Sequence, residues 1–422
     1  MLGYGGSQVL RFATQLVLAR KLLGPQAFGL VALVSVFLSG LEMLSDLGVG
    51  MDVVQHPRGD DPRFINTAFL IQAGRGLVLF GLAAALAYPF ASFYHQPTVR
   101  WMIFVASLSV GLRGLASGSI WTLTRHVQLR KLTALNLGGD VVGFAVSLAW
   151  ALISPTAWAL VVGKVASSAV YALCSHFIGE DRISFDWDSK AARDILIFGT
   201  GIFLSSATYF MSGEAERLIV GKFITVAELG CFSLALTLSA APSQALGQVV
   251  GQVFFPMIAH SVREDPATAA RHFKKARSAF LIVSILLGTM FIAYGPRIIA
   301  LLLPPKFAMA GWMLQWLGFR SAQQVFVAPT SSLVLACGDS RFPALSNIVR
   351  FAVMSGGLWI AFTRFGIHAA IAALVISSAV AYPVLYPAVA RHLRKALWFE
   401  ILSFLIFLGS MGLALIVPWP GR

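Results

Sequence analysis

Hydrophobic residues run along this chain in blocks of about 20, the length a helix needs to cross the hydrocarbon core of a bilayer. Short polar or basic gaps separate the blocks. Thirteen such runs are counted. The first half holds Met1 to Ala19, Phe28 to Leu47, Thr67 to Phe90, Trp101 to Leu123, Leu132 to Ile153 and Ala157 to Ile178. The second half holds Ile195 to Val220, Leu229 to Ile258, Ser278 to Tyr294, Ala308 to Leu335, Phe342 to Phe362 and Ile367 to Val389, with one extra run from Leu397 to Val417. The pattern predicts an all-α polytopic membrane protein of two six-helix lobes plus one C-terminal helix. The expected boundaries are 1–178 for the first lobe, 179–194 for a cytoplasmic linker, 195–391 for the second lobe and 392–422 for the thirteenth span.

A weak internal repeat places the second lobe. At an offset of 201 residues the basic turn Leu18 to Gly29 meets Ile219 to Gly230, with Lys21 on Lys222, Gly29 on Gly230 and apolar residues between. Such repeats mark the two halves of many transporters. The same offset puts the start of span one about six residues before Met1, so a leading turn is expected to be missing.

Composition narrows the class. At 57% hydrophobic and 12% charged residues, the chain lies far from the soluble average of about 25% charged. A net charge of +14 in a soluble protein would suggest nucleic acid, but here the basic residues sit in short gaps, where they orient spans instead. Gaps on the side of the N-terminus carry 17 Lys and Arg, among them Arg58, Arg125, Arg182, Arg277 and Arg391; the opposite side carries 8, among them Arg20, Arg100, Lys222 and Arg422. The N-terminus is therefore expected in the cytoplasm. Cys174, Cys231 and Cys337 have no metal or disulfide spacing, and no cofactor motif or sizeable extramembrane loop is present to house catalysis.

Seven basic residues fall inside the apolar runs: Arg11, Arg75, Arg113, Lys164, Arg217, Arg320 and Arg350. Glu42, Asp46, Asp140, Glu214 and Glu216 are the acids counted there. Each charge costs roughly 2.5 to 3.5 kcal/mol near a helix centre, so each needs a partner or water. Arg11, Arg75, Arg113, Arg320 and Arg350 are the candidates for binding an anionic substrate in a weakly cationic cavity. The alternative is that charges near span ends, such as Arg217, Glu214 and Asp46, reach to the interface. Asp140 and Lys164 flank the tight turn at Ser154 and Pro155, with a depth difference of about 6 Å along the helices. They are expected to pair, for coupling or for packing alone, and Glu216 is a further candidate for either role.

Weaker motifs have simpler readings. Gly114-x-x-x-Gly118 and Gly247-x-x-x-Gly251 are expected at close helix contacts. Asp186-Trp187-Asp188 resembles the DxD of metal-dependent glycosyltransferases, but here it is expected to begin an amphipathic cytoplasmic helix with Asp188 as its cap. Pro155, Pro242, Pro329 and Pro383 mark places where helices can bend.

Several stretches together resemble one family. "LARKLLGPQAFGLVAL", "DLGVGMDVVQ" and "NTAF" in the first half, and "FGTGIFLSS", "AERLIVGKF", "ELGCFSLAL" and "QVFFPMIA" in the second, are similar in order and spacing to bacterial polysaccharide and O-antigen flippases of the multidrug/oligosaccharidyl-lipid/polysaccharide superfamily. Two positions depart from the family pattern: Glu216 stands where Asp is usual, and Pro304-Pro305 where a Gly-containing turn is usual. The resemblance implies a two-lobed, alternating-access exporter of a bacterial inner membrane and no enzyme activity. It implies an undecaprenyl-pyrophosphate-linked oligosaccharide as substrate, carried to the periplasmic leaflet. Membrane lipids are implied as partners, with a polysaccharide polymerase or glycosyltransferases as further ones. A drug/cation antiporter of the same superfamily, which would recruit Asp46, Asp140 and Glu216, and a membrane enzyme of lipid-linked glycan assembly are the alternatives.

Overall fold

The computed structural model describes residues 2–178 and 184–416; Arg182 and Arg422 lie outside the described residues. Every regular element among these residues is a helix. Contacts divide the chain into two units, Met1–Lys222 and Phe223–Arg422. The first holds α1 (Leu2–Lys21), α2 (Pro25–Met43), α3 (Val49–Gln55), α4 (Pro62–Phe93), α5 (Pro97–Gly114), α6 (Ser119–Arg125), α7 (Leu129–Ile153), α8 (Trp158–Ile178), α9 (Ser189–Gly213) and α10 (Ala215–Phe223). The second holds α11 (Val226–Val249), α12 (Phe255–Glu264), α13 (Pro266–Leu302), α14 (Met309–Ala336), α15 (Arg341–Arg364), α16 (Ile367–Ala381), α17 (Tyr386–His392) and α18 (Arg394–Ile416). The contact boundary falls later than the repeat boundary at 195 by the length of α9 and α10, because packing and internal symmetry are different criteria.

Each expected span falls on a helix or a pair of consecutive helices. Nine described helices are long and apolar enough to cross a membrane, and the consecutive helices α5 and α6, bent by 61° at their break, meet the same criterion only when taken together. The other three runs lie on α1, α9 and α14, which carry more polar side chains. Local chemistry sets the helix starts. Pro25 and Pro62 occupy first helical turns, where the missing N–H costs nothing, and the Asp61 side chain caps α4 by accepting from Arg63 N. Thr225 and Glu228 form a reciprocal capping box at α11, which satisfies two otherwise unpaired backbone donors.

The linker expected over 179–194 is shorter in the structure, since α9 begins at Ser189. Asp188 does act as a cap, accepting from Lys190 N at 2.9 Å and Ala191 N at 3.2 Å. The helix it starts is the seventh span itself, however, not a separate surface helix. The reason is burial: Ala191 and Ile195 pack with Val49, Val53, Phe64 and Ile65, so the first turns of α9 belong to the core. Residues 184–188 are tied down as well. Asn66 exchanges hydrogen bonds with Ser184, Asp188 N donates to Thr67 Oγ1, and Arg58 bridges Asp61 and Asp188. That arginine holds both carboxyls below the usual carboxylate range. Both acids of the DxD are thus engaged, Asp186 with the Ser184 hydroxyl and Asp188 with the cap and Arg58.

Small residues bring helices together where no hydrophobic effect is available to do so. A Cβ on Gly114 would lie 2.8 Å from Gly76 Cα, which fixes the α4–α5 contact. Gly143 and Gly163 do the same for α7 and α8, and Gly295 and Gly311 for α13 and α14. The second expected motif behaves differently: no described residue outside the helix lies within 4 Å of a Cβ built on Gly247 or Gly251. A π-helical turn, Val250–Phe254, joins α11 to α12 at that point.

In the second unit α14 is the central helix, with Phe326 packed on Tyr382 and Phe407. Arg277 lies there too. Sequence reading assigned it to a cytoplasmic gap, but α13 starts at Pro266 and carries it inward. Its Nε is 2.9 Å from Glu400 Oε2 on α18, both side chains at 0% exposure. Its other nitrogens donate to the Phe326 carbonyl and the Tyr382 hydroxyl, and Thr330 donates to Glu400 Oε1 at 2.6 Å.

Candidate functional site

Inside the first unit two cavities adjoin, of about 400 Å³ and 320 Å³, both carrying charged side chains, and Glu42 of α2 lines both. The larger one is lined by Asp46, Gln72, Arg75, Arg113, Trp121 and Tyr171 among others. The smaller one is lined by Arg11, Gln15, Ser39, Asp140, Lys164 and Ser167 among others. Five of the eight charged candidates, Arg11, Arg75, Arg113, Asp140 and Lys164, therefore come together across α1, α4, α5, α7 and α8.

The expected Asp140–Lys164 pair is not what forms. Arg11 Nε donates to both Asp140 oxygens, at 3.1 and 3.2 Å, while the Asp140 side chain is 8% exposed. Rotation explains the difference. Gly143 of α7 faces Gly163 and Ser167 of α8, with Gly139 and Ser147 on the same side of α7. Asp140 follows Gly139 by one residue and is turned by roughly 100° from that seam, toward α1. Depth alone was therefore insufficient. Lys164 lines the same cavity with its side chain exposed.

Arg75 has a structural task. It donates through Nε to Ser45 O at 2.7 Å and through Nη2 to Glu42 O at 2.6 Å, so it caps carbonyls left open at the end of α2, as basic side chains do at helix C-termini. Arg113 donates to Ser168 Oγ at 3.3 Å and lies 5.1 Å from the Tyr171 ring centroid. Asp46 shapes the "DLGVG" turn: one oxygen accepts from Gly48 N at 3.0 Å and the other from Ser206 Oγ at 3.2 Å. Gly48 adopts φ 58° there, a conformation that glycine takes without steric cost. Across the two cavities, Arg11, Arg75, Arg113 and Lys164 face Glu42, Asp46 and Asp140, one cation in excess.

The remaining candidates lie elsewhere. Glu216 is buried in the first turn of α10, beside the Glu214–Arg217 ion pair. Arg320 is buried on α14 and Arg350 half-buried on α15, both in the second unit. The buried Arg277–Glu400 pair was missed by sequence reasoning. A signal existed: Ala269, Phe273 and Arg277 recur every fourth residue and all reach 0% exposure, one face of a helix.

The comparisons with known proteins bear on this arrangement. A family model described as polysaccharide biosynthesis protein matches residues 17–310. The chain belongs to the polysaccharide biosynthesis protein family. Its relatives include the amylovoran biosynthesis protein AmsL of Erwinia amylovora, 25% identical over 55% of this chain and 61% of that protein. Another is the teichuronic acid biosynthesis protein TuaB of Bacillus subtilis (strain 168), 20% identical over 75% of this chain and 67% of that protein. Among solved structures, the lipid II flippase MurJ in an inward closed conformation aligns with a TM-score of 0.71 at 11% identity, over 98% of this chain and 96% of that one. An inward-facing MATE family transporter of the MOP superfamily aligns with a TM-score of 0.61 at 14% identity, over 96% and 95%. The family member thus has the helical fold shared by the multidrug/oligosaccharidyl-lipid/polysaccharide superfamily, and it is a multi-pass membrane protein.

Proposed function

We propose that this family member is a flippase that moves a polyprenyl-pyrophosphate-linked oligosaccharide from the cytoplasmic to the periplasmic leaflet of a bacterial inner membrane, with its N-terminus in the cytoplasm. The observation that carries the proposal is the pair of cavities inside the first unit, where four cations and three carboxylates line the walls among membrane helices. A pyrophosphate must shed water to enter such a place, and arginine's planar fork suits its oxygens better than a lysine point charge. Arg11, Arg113 and Lys164 are assigned to the headgroup, with Arg75 holding the end of α2 in place beside them. Arg320 and Arg350 of the second unit are assigned as further anion-binding candidates. Alternating access between two states supplies the movement.

The test is translocation of labelled lipid-linked oligosaccharide into vesicles carrying the full chain, with folding checked separately. At least two of the alanine variants at Arg11, Arg75, Arg113, Arg320 and Arg350 should lose transport, and lysine at those positions should restore only part. Full transport by all five alanine variants refutes the anion assignment. A second reading, a cation-coupled drug antiporter, draws on Glu42, Asp46 and Asp140 lining the same cavities. Uptake of a cationic dye that is abolished by Asp140→Asn, with no movement of lipid-linked sugar, would favour it.

A further inference from the structure

The second unit holds a polar surface of a different kind. Between Glu228 and Arg263 the chain carries no Asp, Glu, Lys or Arg, yet Gln244, Gln248 and Gln252 recur every fourth residue and all three are exposed. They lie on α11 and the π turn that follows it, within the stretch Val226–Glu264 that qualifies as a membrane crossing. Residues four apart share one helix face. The next positions along the chain, Ala245, Val249 and Val253, form a parallel apolar stripe, with Val249 47% and Val253 57% exposed. One segment therefore offers lipid an apolar stripe and, turned from it, a row of amides.

Amides do not face hydrocarbon willingly, because an unpaired amide in an apolar medium costs several hydrogen bonds' worth of solvation. The row must meet water or a hydrogen-bonding ligand. Three further observations favour a ligand. Gly247 and Gly251 border the row and leave the space beside it open, with nothing among the described residues within 4 Å of a built Cβ beyond the helix itself. The π turn Val250–Phe254 interrupts the helix at the row itself, and such turns recur at functional sites. On the adjoining α14, exposed Gln324 accepts from Ser243 Oγ at 3.3 Å.

We infer that this glutamine row of the second unit is a binding surface for the uncharged, hydroxyl-rich part of a glycan. Amide groups both donate and accept, which matches sugar hydroxyls, and the row carries no charge that would select an ion over a neutral ligand. The inference rests on the proposed transport of a lipid-linked oligosaccharide and adds to it a surface for the sugars built of neutral amides rather than charged side chains. Recognition of this kind grows with the number of sugars presented.

The test compares wild-type and Q244L/Q248L/Q252L full-length protein in vesicles. The probes are a lipid-linked oligosaccharide extracted from cells lacking the transporter, and the same carrier trimmed to its first sugar. The variant should move the oligosaccharide at least about tenfold more slowly, as expected when several hydrogen bonds to hydroxyls are lost, and move the trimmed carrier at the wild-type rate. Asparagine at the three positions should recover part of the loss. If wild-type moves neither probe, the transport reading itself fails and this assignment with it. If wild-type moves both and the variant is unimpaired, or is slowed equally on both, the assignment alone is overturned. A variant that loses only a wild-type oligomeric state, seen by light scattering, also overturns it by making the row an interface between copies.

Discussion

Replacing Glu400 by glutamine should destabilise the second unit more than any change at its surface. The substitution keeps the shape of the side chain and its bond from Thr330, but it strands the Arg277 guanidinium, which has 0% side-chain exposure. Three other contacts remain to that arginine: the Phe326 carbonyl, the Tyr382 hydroxyl 3.1 Å away, and the Phe326 ring 3.4 Å from the guanidinium carbon. None of these carries a full negative charge. Breaking one partner of a buried pair costs about 3 to 5 kcal/mol, a factor of roughly 10² to 10³ or more in the unfolding equilibrium at 1.4 kcal/mol per decade. Removing both charges is different, since apolar replacements of similar volume are often neutral or stabilising. The expectation is a large fall in the unfolding midpoint for E400Q in detergent, and a midpoint near wild-type for R277M/E400L. A single mutant within about 1 kcal/mol of wild-type, or a double mutant worse than the single, would refute the view that the ion pair is what balances Arg277.

Three other outcomes are expected. A double-mutant cycle on Arg11→Gln and Asp140→Asn should give a coupling of about 1 kcal/mol in stability, modest because Arg11 is half exposed, and the same cycle with Lys164→Gln in place of the arginine change should give less. The tether of residues 184–188 should weaken in acid: Arg58 lowers the pKa of Asp61 and Asp188, so their contribution is present above the ordinary carboxylate pKa and is lost as pH falls through the lowered values. Protease nicking of that segment by an acid-active enzyme should rise on that descent in wild-type and be high throughout in Arg58→Gln. Finally, cysteines placed at the exposed positions Thr98 and Arg271 should be labelled by an impermeant reagent in intact cells at 98 and protected at 271; the reverse would invert the proposed orientation.

The apolar runs were legible because the bilayer sets one length for every crossing, and each of the thirteen lies on a helix or a helix pair. Capping was legible at Asp188, whose carboxylate sits where the first free N–H groups of a helix point. The site was legible in residue type but not in pairing. Asp140 could be placed by depth along α7, whereas its partner depended on which face of α7 the glycines claimed, and that is a property of two helices at once. Arg277 was misread for a related reason. Arg271, Lys274 and Lys275 around it look like a solvated loop, and only the fourfold spacing with Ala269 and Phe273 reveals that α13 has already begun. Gly247 and Gly251 show the converse, a packing motif by spacing whose glycines meet no neighbour among the described residues.

The Arg277–Glu400 pair also has a timetable. The two residues are 123 positions apart, and at about 5 to 20 residues per second of synthesis the arginine emerges several seconds to tens of seconds before its counter-ion. Tyr382 arrives late as well. During that interval, among the described residues, α13 and α14 offer the positive charge only the Phe326 carbonyl and ring, so the core around Arg277 cannot close until α18 is delivered. Within the second unit α18 is in this sense a closing element of the core rather than an appendage, because a chain stopped before Glu400 lacks the charge that balances Arg277.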